Sequence, residues 1–245
     1  MKPTPISQPE PSPLLAFGAH PDDIEFGCGA VVAKETRAGR PAHFVVCSRG
    51  ESGTRGTPDQ RTAEAGRAAA ILGASIEFVQ LDGDGHLEPR ASHAITLAGV
   101  MRRHRPGVVL APSLVENQHP DHPKLGKLLR DAARLARYGG VAELRDLSPH
   151  AIDHLLFYAV TSDAEPTDIS PVLVDVSDPA ILATWTAALQ AHASQAATRN
   201  YAELQLARAR LNGLRAGVSH AIALFPNDPM IVDSIAQLGR GARSF

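Results

Sequence analysis

Short apolar runs alternate with longer helical patterns along most of the chain, and few folds accommodate that order. "LLAFGA" (14–19), "AHFVVCS" (42–48), "SIEFVQL" (75–81) and "GVVLAPS" (107–113) read as strands, with further strands expected at 154–160 and 172–176. Between them lie a helix from about Gly27 to Ala38, one over "PDQRTAEAGRAAAILG" with Asp59 as its cap, and one over "ASHAITLAGVMRRHR" ending before Pro106. Residues 123–137, 178–195 and 199–215 carry the later helical patterns. Strands that alternate with helices of this length build a parallel sheet with helices on both faces, an α/β fold. Right-handed crossovers then gather the loops after successive strands along one edge.

Ligands of such sheets bind in the crevice beyond the carboxyl ends of the strands, and the reactive groups of this chain fall there. "AHPDD" follows the first strand and "QHPDH" follows the strand at 107–113. A single His-Pro-Asp can be a turn, with proline fixing φ and aspartate holding backbone donors. Two copies, each directly behind a core strand, point to a metal, because ionised carboxylates near a buried sheet end are costly unless paired or bound to one. His20 and Asp23 can aim at one ion from a tight turn, and His122 can join from the other loop. Two imidazoles and a carboxylate with a position left for water make the ligand set of a hydrolytic zinc site, although iron or another divalent ion suits the same donors. Asp22 is placed to take a proton from that water, and His119 to stabilise or protonate what develops on the substrate. Glu25 is either a partner of the metal ligands or a first-turn acid favoured by the helix dipole.

At 245 residues the chain can bury one substantial core, and a formal net charge of -2 supplies no basic field for nucleic acid or an anionic membrane. Cys28 and Cys47 are too few for a disulfide framework and read as small buried apolar groups. "MKPTPISQPEPSP" (1–13) has five prolines and no apolar run, so it reads as a flexible tail without the pattern of a signal peptide. No run of 18 apolar residues follows. These features lead us to expect a cytoplasmic protein with a single domain over 14–245.

"AHPDDIEFGCGA", "RGESGTRGT", "LDGDGHLEP" and "QHPDH", in this order over Leu14 to Leu129, resemble the LmbE or PIG-L-type N-acetylglucosaminyl deacetylases. The resemblance implies a Rossmann-like fold and a zinc-dependent amide hydrolase acting on a small N-acetylated sugar, working as a homo-oligomer. It implies metal ligation by His20, Asp23 and His122, with Asp22 as general base and His119 facing the carbonyl oxygen or leaving amine. Arg61, Asp84 and Arg55, from the loops at 49–61 and 82–88, are the candidates for gripping the sugar. "ALQAHASQAATRNYAELQLARARLNG" resembles the bacillithiol-pathway branch, which acts on N-acetylglucosaminyl-malate; residues 150–245 would then complete the sheet and cover the substrate. That branch carries an acidic residue in the segment matching "AIALFPNDP", where this chain has Ala223 and Leu224.

Chitobiose or another N-acetylated sugar is the neighbouring alternative. A different class is a nucleotide-binding protein with "GCGA" cradling a phosphate, but the third glycine of G-x-G-x-x-G is replaced by Val32. The glycines instead suit close helix-to-sheet packing. A metal-bound sugar receptor without catalysis is the remaining alternative, and it would not need Asp22 beside Asp23.

Overall fold

A computed structural model describes residues 11–116, 119–196, 200–239 and 241–242. Most of the proline-rich segment expected to form a tail lies outside these residues. Seven strands make one sheet in the order β3-β2-β1-β4-β5-β7-β6. They are β1 (Leu14–Gly18), β2 (Ala42–Val46), β3 (Ser75–Phe78), β4 (Val108–Pro112), β5 (His154–Tyr158), β6 (Val172–Asp175) and β7 (Ala221–Pro226). The pairs β1–β2, β2–β3, β1–β4 and β4–β5 are parallel. β7 runs antiparallel to both β5 and β6, so the later half completes the sheet in mixed sense.

Burial on both faces explains the continuous apolar reading of β1 and β4. Helices α1 (Asp23–Arg37), α2 (Pro58–Ile71), α5 (Pro179–Gln190) and α7 (Tyr201–Ala216) enclose a core with Val32, Leu72 and Trp185 on one side. Helices α3 (Ala91–His104) and α4 (Asp121–Arg137) enclose Leu97, Met101 and Leu128 on the other. The glycines of "GCGA" serve packing. A Cβ on Gly27 would fall 2.0 Å from a ring carbon of Tyr158, and one on Gly29 would fall 2.9 Å from Trp185. Tyr158 in turn donates to the Phe17 carbonyl at 2.7 Å, and Trp185 Nε1 donates to the Glu25 carbonyl at 2.8 Å.

Several boundaries differ from expectation. α1 starts at Asp23, four residues before Gly27, because Asp23 and Glu25 fit its first turn and the glycines lie inside it. The cap of α2 is Thr57, whose hydroxyl accepts from Gln60 N at 3.2 Å with Pro58 behind it, and Asp59 sits in the first turn. The helix expected over 178–195 stops at Gln190, and a short α6 (Ala193–Ala196) follows. The basic end of α3 does more than oppose its own dipole. Arg102 is buried, and its guanidinium donates to the carbonyls of Leu135, Ala136, Tyr138, Leu144 and Leu147, closing the carboxyl end of α4. Both cysteines are buried and free.

Candidate metal and catalytic site

β1 and β4 lie side by side at the centre of the sheet, so the loops behind them meet. The chain leaves β1 through His20 and Pro21 into Asp22, which takes a φ of 108°. Only one other described non-glycine residue, Arg105, has positive φ. Such backbone strain is held only where its surroundings enforce it. Here it turns Asp22 and Asp23 to different tasks.

Asp23 is buried, and its Oδ2 accepts from the backbone N–H groups of Ala19 (2.8 Å) and His20 (2.9 Å). That leaves Oδ1 facing His122 Nε2 at 3.0 Å. His20 sends Nε2 toward Asp84 Oδ1 (3.2 Å) and Asp121 Oδ2 (3.3 Å), which leaves Nδ1 on the Asp23 side at 3.5 Å. Carboxylates that fix the far nitrogen of a ligating imidazole are the usual support of a metal site. The ligand atoms of His20, Asp23 and His122 all lie within 4.8 Å of one another, as one ion requires.

The charge balance fits a cation as well. Four carboxylates, those of Asp22, Asp23, Asp84 and Asp121, stand around three imidazoles. Burial and the neighbouring Asp23 push Asp22 up to about 6. His20 rises well above its ordinary value although burial opposes it, because Asp23, Asp121 and Asp84 favour its charged form. A divalent ion would relieve both groups. The donor set of nitrogen and carboxylate oxygen admits zinc, iron or cobalt.

Around this triad the remaining expected residues take distinct places. Arg61 is buried and donates to the Pro21 carbonyl (2.9 Å), the Gly50 carbonyl (3.2 Å) and Asp22 Oδ2 (3.3 Å). Gly50 makes this path possible, since a Cβ there would lie 2.1 Å from the guanidinium. Asp84 is buried too, its Oδ2 accepting from Ser52 N at 3.2 Å while Oδ1 meets His20 and His119. Both side chains therefore face the cluster, behind Asp22 and His20. Arg55 does not join them: it is exposed, and its carbonyl accepts from Gln195 Nε2 at 3.0 Å.

His119 is the more open imidazole, its ring centroid 4.2 Å from that of His20. Its Nδ1 accepts from the Asp121 N–H at 3.4 Å, so in the neutral ring the proton sits on Nε2. Burial, His20 and His122 hold its pKa below the usual histidine range.

Two contributors were not assigned from sequence. Asp121 lies between the histidines of "HPDH", where it could be taken for a turn residue. Its Oδ2 joins His20 and accepts from Gly85 N at 2.7 Å. His192, in "AHASQ", is fully buried, with Nε2 3.3 Å from Glu25 Oε1. Although burial opposes it, Glu25 and then Asp22 raise its pKa above the ordinary value. Glu25 thus turns to His192 as well as serving the first turn of α1.

Residues 15–133, which hold β1 to β4 and both histidine loops, match the family described as PIG-L: GlcNAc-PI de-N-acetylase. The chain carries a PIG-L family domain. It is 30% identical over 175 residues to a diacetylchitobiose deacetylase of Thermococcus kodakarensis, covering 65% of this chain and 64% of that one. It is 32% identical over 147 residues to a 4-oxalmesaconate hydratase of Pseudomonas putida, covering 55% of this chain and 56% of the other. The chain thus spans less than two thirds of the length of these curated relatives. Over the whole fold it resembles the conserved protein TT1542 from Thermus thermophilus, with a TM-score of 0.80 at 30% identity, covering 94% of this chain and all of that one. Among the described residues no helix is long and apolar enough to cross a membrane.

Proposed function

We propose that this PIG-L protein is a metal-dependent hydrolase that removes the acetyl group from a small N-acetylated sugar. The observation that carries the reading is the pairing of a His20/Asp23/His122 triad with a second carboxylate, Asp22, held apart from ligation by its backbone and by Arg61. A site built only to hold an ion needs no such neighbour.

A divalent ion bound by the triad, which we assign as zinc, would bring the pKa of a bound water down to about 7 and polarise the acetyl carbonyl. Asp22 would take the water proton and pass it to the departing amine nitrogen as the C–N bond breaks, and the Arg61 guanidinium fixes the carboxylate that carries it. His119 Nε2–H donates to the oxygen on which charge develops, with Asp121 N–H fixing the tautomer. Asp84 and Asp121 orient His20. The segment around α6 lies over α2 and the loop before it, through Ser194 to Glu64 (2.6 Å) and Gln195 to Arg55. It is our candidate for covering the sugar.

Within this class N-acetylglucosaminyl-malate is the first substrate to try, and chitobiose the second, given the Thermococcus relative. The Pseudomonas relative supports one other reading, addition of the activated water to a carbon–carbon double bond of an unsaturated acid. Acetate release is measured from N-acetylglucosaminyl-malate, diacetylchitobiose and N-acetylglucosamine, beside loss of ultraviolet absorbance from 4-oxalmesaconate. We expect acetate with a free amine. Loss of absorbance without any acetate would replace the deacetylase by the hydratase.

A further inference from the structure

A second group of metal-type donors lies on the outer strands of the sheet. His43 of β2 and Glu77 of β3 alternate with Phe44 and Ile76, which face the α1 side, so both point to the α3 layer. There they meet His104, the last residue of α3. Glu77 Oε1 is 3.1 Å from His104 Nε2 and 3.5 Å from His43 Nε2. The imidazoles stack with centroids 3.9 Å apart and planes 22° from parallel, so both direct the same nitrogen at one oxygen. The three ligand atoms lie within 4.8 Å of one another.

The surrounding hydrogen bonds say what belongs between them. Ser75 Oγ donates to the Ala42 carbonyl at 3.5 Å, so toward His43 Nδ1, 2.5 Å away, it acts as acceptor. In the tautomer with the proton on Nδ1, toward Ser75 Oγ, His43 Nε2 presents a lone pair toward Glu77 Oε1. That nitrogen is buried and makes no hydrogen bond. Arg103 Nη2 takes the other oxygen of Glu77 at 3.5 Å, leaving Oε1 to the histidines. Two imidazole nitrogens and a carboxylate oxygen gathered at one point are the donors that a divalent cation takes.

We propose that His43, Glu77 and His104 form a second metal site, separate from the triad, for a borderline divalent ion of the zinc, cobalt or nickel class. Two imidazoles and one carboxylate suit such ions and are poor for calcium or magnesium. Its role is mechanical. It ties the carboxyl end of α3 to β2 and to the edge strand β3, and an ion bound only by the folded chain raises stability by mass action.

The test is a metal count by mass spectrometry on protein equilibrated with zinc and passed through a desalting column, with the thermal midpoint read at increasing zinc. The parent should hold two ions per chain. His104→Gln and Glu77→Gln should each hold one and lose part of the zinc-dependent rise, while His122→Ala should lose the other ion. His43→Asn with a native circular dichroism spectrum guards against misfolding of any one variant. A parent ion count of one that disappears only with His122→Ala overturns the second site and leaves the catalytic reading intact. Retention of two ions by His104→Gln, Glu77→Gln and His43→Asn overturns it equally.

Discussion

Replacing Asp22 with Asn should make the metal-free protein more stable and the loaded protein nearly inactive. Asn tolerates the positive φ of 108° better than most residues and can still accept from Arg61, so shape is preserved. What changes is charge. Burial first, then Asp23, push the Asp22 carboxyl from its ordinary 3.8 up to about 6. A carboxyl raised in this way keeps its proton longer in the folded chain than in the unfolded one. Stability therefore falls as pH rises from about 4 to about 6, and the loss persists above that window. The displacement corresponds to about 3 kcal/mol, and residual solvent contact of a side chain 13% exposed reduces it to about 1–3 kcal/mol. Chelated parent and variant are compared by urea unfolding at pH 7.5 and at pH 4. The variant should gain stability at pH 7.5, and the gain should vanish at pH 4, where Asp22 is protonated anyway. Acetate release by the loaded variant should fall by about 10²–10⁴-fold, the range of a positioned base. An equal stability difference at both pH values would refute the electrostatic argument, and full activity would refute the assignment of the base.

The other expectations concern the same region and its supports. The acid limb of kcat/KM should lie at or below about pH 6, because a bound cation can only pull Asp22 down from there; a limb above pH 7 would assign the proton elsewhere. Gly27→Ala drives a methyl group into the buried Tyr158 ring, displacing a hydroxyl bonded to the Phe17 carbonyl. It should cost about 1–3 kcal/mol in denaturant unfolding, and an unchanged midpoint would show that the sheet yields there freely. Arg102→Met strips five carbonyls of their donor and should cost about 3 kcal/mol. A loss below about 0.5 kcal/mol, the net worth of one weak bond, would mean that water replaces the guanidinium.

The first four strands were legible because burial on both faces leaves near-continuous apolar runs, and the meeting of His20, Asp23 and His122 because their two loops repeat one pattern behind two such strands. Strand direction in the later half was not, since β7 pairs antiparallel with β5 and β6 through contacts that no local pattern encodes. The start of α1 was misplaced by taking Gly27 as its first residue, although the packing role read for the glycines holds; the partners that enforce it, Tyr158 and Trp185, lie more than a hundred residues away. Asp121 and His192 escaped assignment for a similar reason. An acid in a turn and a histidine near a helix end look like solvated groups until packing buries them beside His20 and Glu25. Arg55 shows the converse, a charged loop residue that stays at the surface.

The adjacency of β1 and β4 also decides when a metal ion can take part in the life of the chain. Leu14 pairs with Val108, and two whole strand–helix units lie between them in sequence. Until that pairing is made, His20 and Asp23 have no His122 near them, so an ion has no complete site to organise. Ligands drawn from one hairpin can nucleate a fold around their metal. Here the candidate ligands meet only through the β1–β4 pairing, so an ion held by them would act as a late lock. Bound metal should slow the unfolding of this domain while leaving its folding rate almost unchanged.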